Sequence, residues 1–103
     1  CIEAFAPGKT GVEVDEAARK VIRDAGYGEY FGHSLGHSLG LNIHENPNAS
    51  PKSTVPFKTG NIVTMEPGIY LPGRFGVRIE DMVYLGESGK RNLTLFPKEL
   101  TIL

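Results

Sequence analysis

The sequence predicts an α+β fold in a single domain, with one main helix packed on a curved antiparallel sheet. Three features carry that expectation. Val14, Ala17, Ala18, Val21, Ile22 and Ala25 recur at the spacing of one stripe on a 3.6-residue helix. Residues 62–71 and 75–85 read as two β-rich segments joined by a short Gly-containing turn, the pattern of a hairpin. A length of 103 residues allows one domain and a modest core.

Taken in order, Cys1 to Phe5 reads like the end of an amphipathic helix, as though cut from something longer. The main helix is expected over 11–25. Thr10 and Glu13 have capping-box spacing at its start, and Gly26 stands where a C-terminal stop belongs. Asp15/Arg19 and Glu16/Lys20 are expected as i,i+4 pairs on its polar side, making the helix a packing element. Residues 32–44 read as a Gly-lined strand that another backbone or a ligand approaches closely. Residues 45–60, interrupted by Pro47, Pro51 and Pro56, read as a long loop. The hairpin follows, with Pro72, Gly73 and Arg74 at its tip. Residues 93–103 read as one more strand, a turn at Pro97 and an apolar tail that docks elsewhere.

Composition excludes several classes of function. Lys+Arg number 11 against 12 Asp+Glu, for a net charge of −1, so the chain has no basic footprint for nucleic acid and no polybasic membrane patch. Met82 to Leu85 is the longest apolar run, far short of a bilayer span. The one cysteine, Cys1, excludes an internal disulfide and a Cys-rich zinc site, which fits a reducing, cytoplasmic setting. The Asn48-Ala49-Ser50 and Asn92-Leu93-Thr94 triplets read as accidental glycosylation signals.

Chemistry is concentrated in a few residues. All three histidines, His33, His37 and His44, fall in the segment 33–44. Each can be a ligand or acid–base group, or a partly buried ring satisfied by backbone carbonyls. With Gly73 at the hairpin tip, Leu71 faces Phe75, Gly68 faces Arg78, and Glu66 faces Glu80. Two carboxylates directly opposed across a ladder repel one another. A shared proton, a cation between them, or neutralisation by Arg78 on an exposed face each relieves that repulsion. A His with two Glu is a suitable N/O ligand set for Zn²⁺, Mn²⁺ or Co²⁺. Asp81 points to the opposite face and is left out of the site. No phosphate-binding loop, Ser nucleophile elbow or Cys nucleophile is present.

These segments resemble a known family. The run from Gly32 to Leu41 containing Gly-His-Ser-Leu twice, then Ile43-His44-Glu45, Met65-Glu66-Pro67-Gly68-Ile69-Tyr70 and Gly76-Val77-Arg78-Ile79-Glu80-Asp81, look like the C-terminal part of a pita-bread metallopeptidase. Within that family they are most similar to the Xaa-Pro dipeptidase (prolidase) and aminopeptidase P branch. The resemblance covers nearly the whole chain, making residues 1–103 the C-terminal part of the catalytic domain. It implies two divalent metal ions, with His37 and Glu66 as ligands, Glu66 also as general base, and Glu80 bridging the metals. His33 and His44 would line the substrate cleft, and Arg78 would orient the acidic ligands. The implied reaction is hydrolysis of an Xaa-Pro peptide bond, by a homodimer as the usual assembly; a non-catalytic peptide-binding relative is the alternative from another class. The family's site also takes two aspartates from the upstream half of the fold, and Asp15, Asp24 and Asp81 do not stand in that context. The upstream half of the same enzyme is therefore an expected partner, and the 103 residues alone are expected to be inactive.

Overall fold

In the computed structural model, which describes all 103 residues, the main helix α1 spans Gly11–Asp24. Its capping box forms as expected. The Glu13 amide donates to Thr10 Oγ1 at 3.3 Å, and the Thr10 amide donates to Glu13 Oε2 at 2.8 Å. The buried stripe is narrower than the sequence predicts: Val14, Ala18 and Ile22 enter the core, while Val21 is 69% exposed. The polar side departs further. Asp15 is 1% exposed, because residues 31–35 cover it, whereas Glu16 reaches Arg23 and Lys20 pairs with Asp24. The expected Glu16/Lys20 pair does not form.

Seven strands make two antiparallel sheets. The larger has the order β2-β1-β3-β6-β7, built from β1 Gly36–Ser38, β2 Glu45–Ala49, β3 Ile62–Met65, β6 Asp81–Gly86 and β7 Gly89–Asn92. The smaller pairs β4 Gly68–Leu71 with β5 Phe75–Arg78. The predicted hairpin register holds in both. Leu71 faces Phe75 and Gly68 faces Arg78 in the small sheet; Met65 faces Asp81 and Val63 faces Val83 in the large one. At the tip, Gly73 takes φ +73°, and the Arg74 amide donates to Leu71 O at 3.0 Å. Between the sheets the ladder opens. Glu66 and Glu80 thus lie at the break in one long hairpin, not as a ladder pair. Pro67 has no N–H to donate there, and its carbonyl accepts the Ile79 amide at 3.3 Å.

Three expectations fail locally. The strand predicted over 32–44 shrinks to β1, since Gly40 turns the chain: its amide donates to Asn42 O at 3.0 Å. Part of the predicted 45–60 loop is the strand β2. Pro47 is tolerated there because β2 lies at the sheet edge, where the register shifts between His37 and Ser38. Near the end, the last strand is β7 instead of a segment after Leu93. Residues 94–103 extend no ladder: Thr94 takes the Met82 amide with its hydroxyl at 3.0 Å, and Leu95, Leu100, Ile102 and Leu103 stay exposed. The expected helical remnant at the start is one turn, with the Phe5 amide donating to Cys1 O at 3.1 Å.

One core joins helix and large sheet. Val14 and Ile22 from α1 meet Val63, Met65, Val83 and Leu85 from β3 and β6 in a single buried cluster. Phe57, from the long loop, packs edge-on against Phe5 with centroids 4.9 Å apart. No helix is long and apolar enough to cross a membrane.

Candidate active site

β1, β3 and the sheet break bring five of the six predicted residues to one open cleft of about 440 Å³. His33, His37, His44, Glu66 and Arg78 line it together with other polar residues and no hydrophobic one. Glu80 does not line it and is linked to it through Arg78, whose Nε lies 3.7 Å from Glu80 Oε2.

His37 lies on β1 with its side chain 20% exposed. Its Nδ1 is 3.0 Å from Ser38 O, and a carbonyl can only accept, so Nδ1 carries the hydrogen. In the neutral ring Nε2 then presents a lone pair, and it sits 3.2 Å from Glu66 Oε1. Two acceptors at that distance need a proton or a cation between them. The same Glu66 oxygen accepts the Thr64 hydroxyl at 2.7 Å, and Thr64 Oγ1 in turn accepts the His37 amide at 3.0 Å. Thr64 thereby ties the His37 backbone to the Glu66 carboxylate. From the other side, Arg78 Nε stands 4.0 Å from Glu66 Oε2 and 3.7 Å from Glu80 Oε2. The repulsion expected between the carboxylates is met here by the guanidinium between them.

His44 reaches the cleft from the turn after β1, its ring centroid 4.3 Å from that of His37. Glu45 shapes this turn by accepting the Asn42 amide at 3.0 Å. On the opposite wall, His33 donates from Nδ1 to Ser34 O at 2.8 Å, leaving Nε2 to accept from the Tyr70 hydroxyl at 2.7 Å. The Tyr70 ring lies over Gly68 and Gly76, where a Cβ would come within 2.5 Å and 2.7 Å of its atoms. Asp81, left out of the site from its strand position, pairs with Lys98 at 2.9 Å.

Thr64, Tyr70 and Asn48 escaped the reading of the sequence. Thr64 had a usable signal, since it precedes Glu66 by two residues and shares its strand face. Gly76 directly opposite Tyr70 was a second signal, for a large ring laid across the ladder. Asn48 had none, because its segment read as loop; it pairs in register with His37, and its Oδ1 is buried without a partner.

An imidazole nitrogen facing a carboxylate oxygen suits a divalent cation of borderline hardness. The fit is partial, because no three of the chain's His, Cys, Asp and Glu side chains converge as a metal-holding group. The His37 Nε2 and Glu66 Oε1 atoms face one another at 3.2 Å, with Glu80 held toward Arg78.

The chain belongs to metallopeptidase family M24, whose family model matches residues 1–87. It is 50% identical over 99 residues to the Xaa-Pro dipeptidase of Pyrococcus furiosus, covering 96% of this chain and 28% of that protein. Among solved structures, the Xaa-Pro dipeptidase from Bacillus anthracis superposes with a TM-score of 0.92 at 49% identity, over 96% of this chain and 28% of that one. The X-Pro aminopeptidase from Thermotoga maritima gives 0.90 at 47% identity, over 95% and 28%. The α+β architecture is therefore the one prolidases share, and the 103 residues span 28% of the length of these relatives.

Proposed function

We propose that this chain is the C-terminal part of the catalytic domain of a metal-dependent peptidase that cleaves Xaa-Pro bonds, acting as a dipeptidase. The observation that carries the reading is the His37 Nε2 lone pair set 3.2 Å from the Glu66 carboxylate in a polar cleft. The names of the relatives supply the substrate class. In this reading His37, Glu66 and Glu80 are three of the ligands for two divalent ions, manganese, cobalt or zinc. The upstream half of the protein brings two aspartates, and the whole works as a cytoplasmic homodimer.

The metal ions, when bound, supply an activated water and polarise the scissile carbonyl. The chain's own groups do the rest. The Ser38 carbonyl fixes the His37 ring in its ligating tautomer. Arg78 orients the Glu66 and Glu80 carboxylates from the side away from His37. Glu66 takes the proton of the attacking water. His33 and His44 flank the peptide: His44 donates to the oxygen that gains charge, and His33, held between Ser34 O and the Tyr70 hydroxyl, lines the cleft beside it.

A Gly-Pro dipeptide and a longer Xaa-Pro peptide, offered to the full-length protein with Mn²⁺, test the reading. Turnover of the dipeptide is expected. Preference for the longer peptide selects the aminopeptidase reading, which the Thermotoga maritima likeness favours. Metal binding without turnover of either selects a peptide-binding relative. Glu80→Gln is expected to lose bound metal on dialysis, and a full complement in that variant removes the bridging role.

A further inference from the structure

We propose that Asp15 and Arg19, on α1 outside the cleft, are positioning residues for His33. The assignment rests on the peptidase reading for what His33 does, and on geometry alone for how it is held. The segment 31–35 joins the short 3₁₀ turn Gly28–Tyr30 to β1 and has no strand partner of its own. Its polar backbone groups must find partners elsewhere, and three of them find this one ion pair. Arg19 Nη1 donates to Phe31 O and Nη2 donates to His33 O, both at 2.9 Å. The Leu35 amide donates to Asp15 Oδ1 at 2.9 Å.

The clamp is itself locked. Arg19 meets Asp15 through Nε at 2.7 Å and Nη2 at 3.1 Å, the forked contact of a guanidinium on a carboxylate. Its Cζ lies 4.3 Å from the centroid of the Phe31 ring, and that ring stands edge-on to the His33 imidazole at 5.1 Å. Thus the guanidinium touches the His33 carbonyl directly and its ring through Phe31. The Asp15 side chain is 2% exposed and that of Arg19 is 20%. Buried ion pairs rarely repay their desolvation in stability, and fixing one geometry is their better-supported use. Here the geometry fixed is the backbone on either side of His33. The tip of the ring is then held by Tyr70.

Arg19→Lys separates positioning from support. Lysine keeps the charge opposite Asp15 but cannot span a carboxylate and two carbonyls in one plane. In the full-length protein with Mn²⁺, the expected result is a folded variant with unchanged metal content and kcat on Gly-Pro lowered roughly tenfold or more. KM should change far less, and the Leu35 amide should exchange faster. Wild-type kcat in that variant, or a loss of kcat that tracks loss of metal, overturns the proposal. If the unaltered protein does not cleave Xaa-Pro bonds, the peptidase reading fails and the clamp is judged separately. Leu35 exchange and the His33 ring resonances must then still change in Arg19→Lys, and unchanged signals overturn it. Should Arg19→Lys not fold, Asp15→Asn, which keeps an acceptor for the Leu35 amide while weakening the hold on Arg19, is read by the same measures. Failure of both to fold makes the pair a structural support only.

Discussion

Gly36 is where one missing Cβ decides whether β1 can lie beside β3. A Cβ there would stand 1.7 Å from the Thr64 carbonyl oxygen and 2.6 Å from its carbon, both backbone atoms that cannot swing aside. Gly36→Ala should therefore push β1 away from β3, at a cost of about 1–3 kcal/mol or more from overpacking. His37 is the next residue, and its amide bond to Thr64 Oγ1 crosses the same gap. Denaturant unfolding of the full-length protein checks the stability change, and metal content checks the displacement of His37. An unchanged unfolding midpoint would mean the strands separate without cost. The repeated Gly-His-Ser-Leu made this position visible in the sequence, but only the packed sheet shows which backbone comes close.

At the scale of elements, α1 illustrates how far pattern reading goes. Its limits and capping box are set by neighbours in the chain, so they could be read from Thr10, Glu13 and Gly26. The Thr10 amide, and then Lys9, hold the Glu13 carboxyl below its ordinary value of 4.5. A carboxyl whose pKa is lowered by folding stabilises fully above the unfolded value, and that contribution is lost as pH falls through the lowered folded value. Glu13→Gln can keep the capping geometry but not the charge. The thermal midpoint of the full-length protein should thus exceed that of Glu13→Gln at neutral pH, with the gap closing as the solution is acidified below 4.5. A gap independent of pH would assign it to packing. Asp15, by contrast, reads in the sequence as a surface partner of Arg19. The pairing is real, but its burial depends on residues 31–35, which lie distant in sequence from Asp15.

The molecule as a whole shows more surface than its size calls for. A folded monomer of 11.2 kDa is expected to expose about 5,700 Å², whereas this chain exposes 6942 Å². Its radius of gyration is 13.9 Å, against about 12.8 Å for a compact chain of this length. Much of the exposed apolar surface belongs to the projecting β4–β5 hairpin and to residues 93–103, including Phe75, Val77, Leu95 and Leu100. The isolated 103 residues are therefore expected to self-associate at micromolar concentration, as sedimentation velocity can measure. They are also expected to bind Mn²⁺ weakly and to leave Gly-Pro intact. Two tightly held ions per chain with turnover would mean that the remaining carboxylates come from a partner chain or a co-purified fragment.

What the sequence determined by itself is the part of the protein governed by near neighbours and period. It includes the helix and its cap, the Pro72-Gly73-Arg74 turn, and the hairpin register running from Leu71 and Phe75 back to Ile62 and Tyr84. A turn sets register for every pair beyond it, so the sequence places Glu66 and Glu80 at facing positions, although the ladder is open between them. Tertiary structure alone decided that this hairpin splits between two sheets at Pro67, that Pro47 sits in an edge strand, and that Arg78 stands between the carboxylates. It also decided that Thr64 meets His37, and that Tyr70 and the Asp15–Arg19 pair meet His33 and its flanking backbone. Each of these depends on groups brought together from distant parts of the chain, where desolvation and the need to satisfy buried polar atoms select the partner and no local pattern records the choice.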